Sequence, residues 1–257
     1  MTEQIRIAQE GGVLRLTLAR PEKKNALTNA MYGTLTAELT RAAADPAVRV
    51  VLFEAEGDMF TAGNDIAEFA AVASGAKPAS TLAAYPFILA LAQFPKPIVA
   101  AVQGNGVGIG LTMLLHCDAV FMAEDAKLTA PFADLALVPE AASSWLLPAR
   151  VGHARAYAVF ALGEAIDGRT AEQIGLVTTA LPASQVKECA KEAAQALASK
   201  PMRALMEIKS LMRDSTAIAA AIEKETERFA AQLKTPEAAE AFKAFAEKRK
   251  PDFGKLK

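Results

Sequence analysis

The order of apolar and polar residues along the first half of the chain predicts alternating strands and helices. Residues 5–21 alternate on either side of Gly11 and Gly12, which is typical of two strands joined by a tight turn. Residues 29–44 carry apolar side chains every three or four positions, which predicts a helix capped by Thr28. Nearly continuous apolar runs suit strands buried on both faces, and they occur at 48–55, 96–104 and 118–124. This alternation predicts an α/β core.

Two of these strands are followed by glycine-containing loops that open helices. The first loop lies in FTAGNDIAEF (60–69), where Asp65 suits the cap of the next helix, and the second lies in QGNGVGIGL (103–111). A small-residue loop at 75–80 precedes a helix over about 81–93. Each glycine loop by itself is explained by an ordinary strand-to-helix turn, and the second matches neither a dinucleotide-binding fingerprint nor a P-loop.

The pattern becomes mostly helical from about residue 140 onward. Apolar residues at helical spacing predict four helices, over 154–162, 184–199, 202–214 and 217–233. A short apolar run within 175–181 predicts one strand. The third of these helices has more apolar positions than the core of a single chain needs to bury, such as Leu205, Ile208, Leu211 and Met212. We therefore expect contacts between subunits there.

Composition restricts the class of protein. The 257 residues are 52% hydrophobic and 22% charged with a net charge of −1, which argues against nucleic acid or membrane partners. Cys117 and Cys189 lack the spacing of a disulfide framework or a zinc site, and only two histidines occur, so we expect no metal. The N-terminal residues resemble neither a signal peptide nor a transit peptide, which predicts a cytoplasmic protein.

One acidic residue has an unusual setting. Glu140 follows Pro139 within LALVPEAASSWLLP (135–148), among small or apolar residues. One interpretation is a charge in the first turn of a helix begun by Pro139, where the helix dipole favours it. The other is a general base, because two glycine loops that open helices can direct backbone N–H groups at one anionic oxygen. The residue pattern alone leaves both open.

Three blocks of sequence then carry a family resemblance. FTAGNDIAEF, KPIVAAVQGNGVGIG and CDAVFMAEDAKLTAPFADLALVPEAASS resemble consecutive signatures of the enoyl-CoA hydratase/isomerase (crotonase) superfamily. LARPEKKNAL, VGHARAYAVFALGEAIDGRTAEQIGLV and FAEKRKPDF fit as well, so that the resemblance covers essentially the whole chain. It implies an α/β fold, with a crotonase-like spiral of ββα units over residues 1–195 and a helical, trimerising C-terminal region over 196–257.

The resemblance also implies a substrate and site residues. The substrate would be an acyl-CoA thioester, whose coenzyme A is part of the substrate, so no separate cofactor is expected. By position, the backbone N–H groups of Asn64 and Ile109 would form an oxyanion hole, with Glu140 as the catalytic residue. The expected contacts with substrate or coenzyme A are Lys24, Ala62, Gly63, Asp65, Ile66, Gly108, Phe132 and Lys248. A homotrimer or homohexamer is expected.

Departures from the family pattern indicate the reaction. Hydratases of the mitochondrial type carry two glutamates that activate water, and Thr112 and Phe132 occupy those positions here. Glu140, eight residues after Phe132, matches the single base of peroxisomal-type Δ3,Δ2-enoyl-CoA isomerases. The sequence therefore favours double-bond migration by a single-glutamate proton shuttle. Two alternatives remain: an enoyl-CoA hydratase, and a catalytically silent member that binds acyl-CoA or serves as a scaffold.

Overall fold

A computed structural model describes residues 4–73, 76 and 82–255 of the chain. The loop expected at 75–80, apart from residue 76, and the first residue of the helix expected over 81–93 lie outside the described residues. The strands are β1 (Ile5–Glu10), β2 (Val13–Leu18), β3 (Val50–Ala55), β4 (Met59–Thr61), β5 (Ile98–Val102), β6 (Asn105–Val107), β7 (Ala119–Ala123), β8 (Lys127–Thr129), β9 (Ile166–Asp167) and β10 (Thr179–Leu181).

The helices agree with most of the predicted ones. They are α1 (Asn29–Ala44), α2 (Ile66–Ala73), α3 (Ala84–Gln93), α4 (Ile109–Thr112), α5 (Ser143–Val151), α6 (His153–Ala161), α7 (Gly168–Gln173), α8 (Ala183–Ala198), α9 (Met202–Met212), α10 (Ser215–Gln232) and α11 (Pro236–Ala246). The helix expected after the second glycine loop is a single α turn, α4, followed by a 3-10 helix over Met113–His116. The apolar spacing singled out neither α7 nor α11, although the resemblance implied a helical region over 196–257 that contains α11.

The main sheet has six strands in the order β1-β2-β3-β5-β7-β10. β1 and β2 form the predicted antiparallel hairpin, and every later pairing in this sheet is parallel. Strand β5 is buried along its whole length, which explains its continuous apolar sequence. Helix α8 packs against β3, β5 and β7, while α1 packs against α3.

A second sheet holds the glycine loops side by side. It has the order β4-β6-β8-β9, and β4 pairs with β6 in parallel, as β6 does with β8. The carboxyl ends of β4 and β6 therefore lie at one edge, where both glycine loops begin. Strands β4, β6 and β8 have three residues each, which are too few to show a periodic pattern, so the sequence did not predict them.

The C-terminal helices complete the core and also present an apolar face. α10 packs on α3 and α11 packs on α2, with Ile218, Ile222 and Phe242 in the hydrophobic core. On α9, by contrast, Leu211 is 85% exposed and Met212 is 82% exposed. The boundary expected after residue 195, between the spiral core and the C-terminal helical region, falls inside α8. This division of the chain stays a prediction. The predicted α/β class is confirmed.

Two further findings concern the described ranges alone. No helix there has the length and apolar character needed to cross a membrane. Nor do the same ranges group three or more His, Cys, Asp or Glu side chains in a way that could hold a metal ion.

Candidate active site

Glu140 lies in a turn and not in a helix. Ala141 and Ala142 both have left-handed backbone conformations, with φ of 60° and 54°, and α5 begins only at Ser143. The interpretation of Glu140 as a charge in the first turn of a helix begun by Pro139 is therefore wrong. Left-handed residues other than glycine cost about 1 kcal/mol or more each, and such strain concentrates at functional sites.

Glu140 and Asn64 line one cavity of about 90 Å³ between α3 and α10. Its walls are otherwise almost entirely apolar, since α3 and the residues before it contribute Leu82, Ala84, Tyr85 and Ile88, and α10 with its C-cap contributes Thr226, Phe229, Ala230 and Leu233. A mostly apolar cavity with a few polar groups in its wall is the usual form of a small-molecule site.

The surroundings of the Glu140 carboxyl favour its neutral form. Burial, and to a smaller extent the charge of the buried Glu225 on α10, raise the pKa of Glu140 to about 8, against a hydrogen bond donated by Thr112 Oγ1 to Glu140 Oε1 that lowers it. A carboxyl whose pKa lies near neutral pH can both take up and release a proton. The sequence assigned no role to Thr112 beyond replacing a glutamate.

The side chain of Asn64 has a partner that the sequence analysis missed. The hydroxyl of Tyr32, buried on α1, donates a hydrogen bond of 2.5 Å to Asn64 Oδ1. The pKa of Tyr32 is raised, first by burial and then by the charges of Glu140 and Glu68, so the hydroxyl stays protonated as a donor. Tyr32 is one of the buried residues of α1, and the sequence analysis did not single it out.

The two glycine loops follow paired strands, and of their residues Asn64 lines the cavity. Gly63 has a φ of +92°, and a Cβ added there would lie 2.9 Å from the carbonyl oxygen of Val107 in the neighbouring strand. Gly108 has a φ of +56° directly before α4. Over the described part of the chain, neither Asn64 N–H nor Ile109 N–H has a backbone or side-chain acceptor. This leaves both donors available to a bound oxygen.

The first loop is held by hydrogen bonds to the segment that follows β2. Ala62 N–H donates to the Lys24 carbonyl at 2.8 Å, and Leu27 N–H donates to the Gly63 carbonyl at 2.8 Å. Asp65 accepts hydrogen bonds from Ala67 N–H at 3.2 Å and from Arg20 at 2.9 Å, which confirms it as the cap of α2. Ile66, at the start of α2, packs against the core.

The remaining expected contacts lie elsewhere. Lys24 is exposed and pairs with Asp58 at 2.6 Å, and Lys248 is exposed after α11 with a φ of 52°. Phe132 is buried, with its ring centroid 5.5 Å from that of Phe160. Of the expected site residues, Asn64 and Glu140 line the cavity between α3 and α10 as it is formed by the described residues, and Lys24, Phe132 and Lys248 do not. The same lining also lacks Ala62, Gly63, Asp65, Ile66, Gly108 and Ile109. Their contacts with substrate stay predictions.

Comparison with known proteins identifies the family. The family model described as enoyl-CoA hydratase/isomerase matches residues 8–256. Enoyl-CoA delta isomerase 2 of Rattus norvegicus is 37% identical over 183 residues, which are 70% of this chain but only 46% of that protein. The 2,3-dehydroadipyl-CoA hydratase of Escherichia coli is 34% identical over 256 residues, 98% of this chain and 99% of that one.

A solved structure has the same fold. The enoyl-CoA hydratase/isomerase of Pseudoalteromonas atlantica superposes with a TM-score of 0.91 at 39% identity, covering 98% of this chain and 100% of that one. This confirms the predicted crotonase-like fold. Because the matched model, the relatives and the solved structure agree, the chain belongs to the enoyl-CoA hydratase/isomerase (crotonase) family.

Proposed function

We propose that this protein moves the double bond of an enoyl-CoA thioester between its 3- and 2-positions. Glu140 is the proton shuttle, and the backbone N–H groups of Asn64 and Ile109 bind the thioester oxygen. As negative charge develops on that oxygen, the two donors stabilise it and make the neighbouring C–H acidic. Glu140 takes a proton from carbon 2 and returns one to carbon 4, so the double bond migrates without any net gain or loss of atoms.

The observation that carries this proposal is that Glu140 is the one carboxylate among the described residues that line a mostly apolar cavity. Glu140 lines the cavity, and a threonine and a phenylalanine stand at the two positions where the resemblance places the glutamates of a water-adding pair. The apolar walls disfavour a bound water, so the 2-enoyl thioester formed by reprotonation at carbon 4 is released and not hydrated. The rat relative is named an isomerase, which supports this choice.

Hydration of a 2-enoyl-CoA is the alternative within the same family. The E. coli relative that matches over nearly its whole length is named a hydratase. Product analysis separates the two reactions, with the purified protein given a 3-enoyl-CoA and, separately, a trans-2-enoyl-CoA. We expect the first to yield the 2-enoyl-CoA and the second to yield little 3-hydroxyacyl-CoA. Rapid hydration would establish the hydratase, and binding without turnover of either would establish a silent member.

The coenzyme A site, the absence of a separate cofactor and the oligomeric state are also proposals. We propose that the substrate's coenzyme A runs along residues 62–66 and that the enzyme needs no separate cofactor. The apolar face of α9, with Leu211 and Met212 largely exposed, supports a trimer or hexamer. The cytoplasmic location stays a prediction from the sequence.

A further inference from the structure

His116 is buried against the segment that carries Glu140, although the proposed chemistry does not use it. The residue ends the 3-10 helix after α4, and its side chain is fully enclosed. Nε2 lies 2.8 Å from the carbonyl oxygen of Ala141, and Nδ1 contacts the guanidinium of Arg213. A buried imidazole with a specific partner on each nitrogen calls for a physical explanation.

Arg213 determines which nitrogen carries the proton. A guanidinium has only N–H groups and cannot accept a hydrogen bond, so Nδ1 of His116 must be the acceptor. The proton of the neutral ring is then on Nε2, which donates to the Ala141 carbonyl. Burial, followed by the charge of Arg213, lowers the pKa of His116 to about 3, so the ring stays neutral at working pH. Arg213 also donates to the His116 carbonyl at 3.2 Å.

The bond to Ala141 acts on a strained turn. Ala141 and Ala142 are both left-handed and both buried, and they connect Glu140 to α5. Beyond them, Ser144 N–H donates to Glu225 of α10 at 3.0 Å, and its hydroxyl donates to the same oxygen. The turn is thus held at one end by His116 and at the other by Glu225. Such conformations persist only where the surroundings impose them.

We propose that His116 is a positioning residue for Glu140. Its Nε2–H holds the Ala141 carbonyl, which keeps the turn in the left-handed conformation and directs the Glu140 carboxyl at the cavity. Arg213, which follows α9, is a second positioning residue because it fixes the tautomer of His116. This inference rests on the proposed role of Glu140 as the base.

Two substitutions of His116 separate positioning from packing. In His116→Gln the longer amide can place an N–H near the site of Nε2, whereas His116→Asn reaches only the site of Nδ1 and loses the donor to Ala141. We expect His116→Asn to lower kcat for isomerisation by about 10²-fold, the effect of a base displaced by about 1 Å, with little change in KM. His116→Gln should recover most of this loss. Equal, parent-like kcat in both folded variants would overturn the proposal.

A second readout needs no turnover. The Glu140 carboxyl carbon can be titrated by ¹³C NMR, with its signal assigned by its loss in Glu140→Gln. The pKa of Glu140 should differ from the parent value in His116→Asn and match it in His116→Gln. An unchanged pKa in His116→Asn would count against positioning. A parent protein that does not isomerise would instead refute the proposed function, while this titration would still test His116.

Arg213 supplies the test should His116→Asn fail to fold. Arg213 is half-buried and lies beyond the end of α9, so we expect its replacement to disturb folding less than a change at the fully buried His116. Arg213→Met removes the donor to Nδ1, and Arg213→Lys retains one. We expect a lower kcat at unchanged KM in the methionine variant and rescue in the lysine variant. Parent kcat in Arg213→Met would overturn the role of Arg213 as the residue that fixes His116.

Discussion

The hydroxyl of Thr112 donates a hydrogen bond to Oε1 of Glu140. Thr112 belongs to α4, which follows the second glycine loop, and Glu140 to the turn before α5. The bond therefore connects the helix that begins at the proposed oxyanion donor Ile109 to the proposed base. A donor to the charged carboxylate stabilises that form, and it therefore opposes the effect of burial on the pKa of Glu140. Thr112, at a position where the resemblance places a hydratase glutamate, thus lowers the pKa of Glu140.

This contact predicts a shift of the pH profile. In Thr112→Val the donor is lost at nearly constant shape, so the pKa of Glu140 rises and less of the base is ionised at neutral pH. The rising limb of kcat/KM against pH should move to higher pH, while Thr112→Ser, which keeps the hydroxyl, should leave it nearly in place. Superimposed profiles for Thr112→Val and the parent would show that the bond does not affect the base.

Replacement of the base itself should remove turnover and leave binding. Glu140→Gln keeps the shape and can still accept the Thr112 hydrogen bond, but it has no basic carboxylate. We expect isomerisation to fall by about 10²–10⁴-fold, the usual contribution of a general base, with little change in the Kd of an acyl-CoA. Glu223→Gln, at an exposed position on α10, is the control and should be unaffected. Near-parent turnover in Glu140→Gln would exclude Glu140 as the shuttle.

The same carboxyl should make stability depend on pH. Its pKa is about 8 in the folded protein, against an ordinary value of 4.5 for a glutamate carboxyl. Between these values the folded state binds the extra proton, so the free energy of unfolding decreases as pH rises, by at most about 1.4 kcal/mol per pH unit. Glu140→Gln lacks this penalty and should exceed the parent in Tm at pH 8 more than at pH 5. An equal difference in Tm at both pH values would argue against the raised pKa.

The oxyanion-hole assignment predicts sensitivity at both glycines. A side chain at Gly63 would collide with the Val107 carbonyl, and at Gly108 the φ of +56° is strained for any other residue even though space is free. Gly63→Val and Gly108→Val should each lower kcat by about 10²–10³-fold, as for the loss of one donor. Gly33→Val, on the exposed side of α1, is the control. Full activity in both loop variants would refute the assignment.

Assembly should depend on the apolar face of α9. Leu211 and Met212 are more than four-fifths exposed in the single chain, and charges placed there would have to be buried in any interface. We expect the parent to be a trimer or hexamer by light scattering and Leu211→Asp/Met212→Asp to dissociate it. Lys187→Asp, on the exposed face of α8, should leave the mass unchanged. A monomeric parent at micromolar concentration would contradict this prediction.

The sequence by itself determined the elements whose signals are local. The turn at Gly11 and Gly12 and the Thr28 cap, which accepts a hydrogen bond from Met31 N–H, depend on residues only a few positions apart. Glu140 and the glycine loops were also found in the sequence, because the family resemblance is carried by contiguous blocks in a fixed order. The short strands β4, β6 and β8 were missed, since three residues carry no periodic signal.

Only the tertiary structure decided how the site works. Tyr32 meets Asn64 across 32 positions, Thr112 meets Glu140 across 28, and His116 meets Ala141 across 25. Tyr32, Thr112 and His116 are each buried within a helix. The local sequence pattern of each indicates burial and nothing about its partner. Even the left-handed turn at Ala141 and Ala142 opposes the preference of alanine for helices. The helix propensity of an ordinary residue contributes less than about 1 kcal/mol to the free energy of folding, and contacts between distant segments therefore override it.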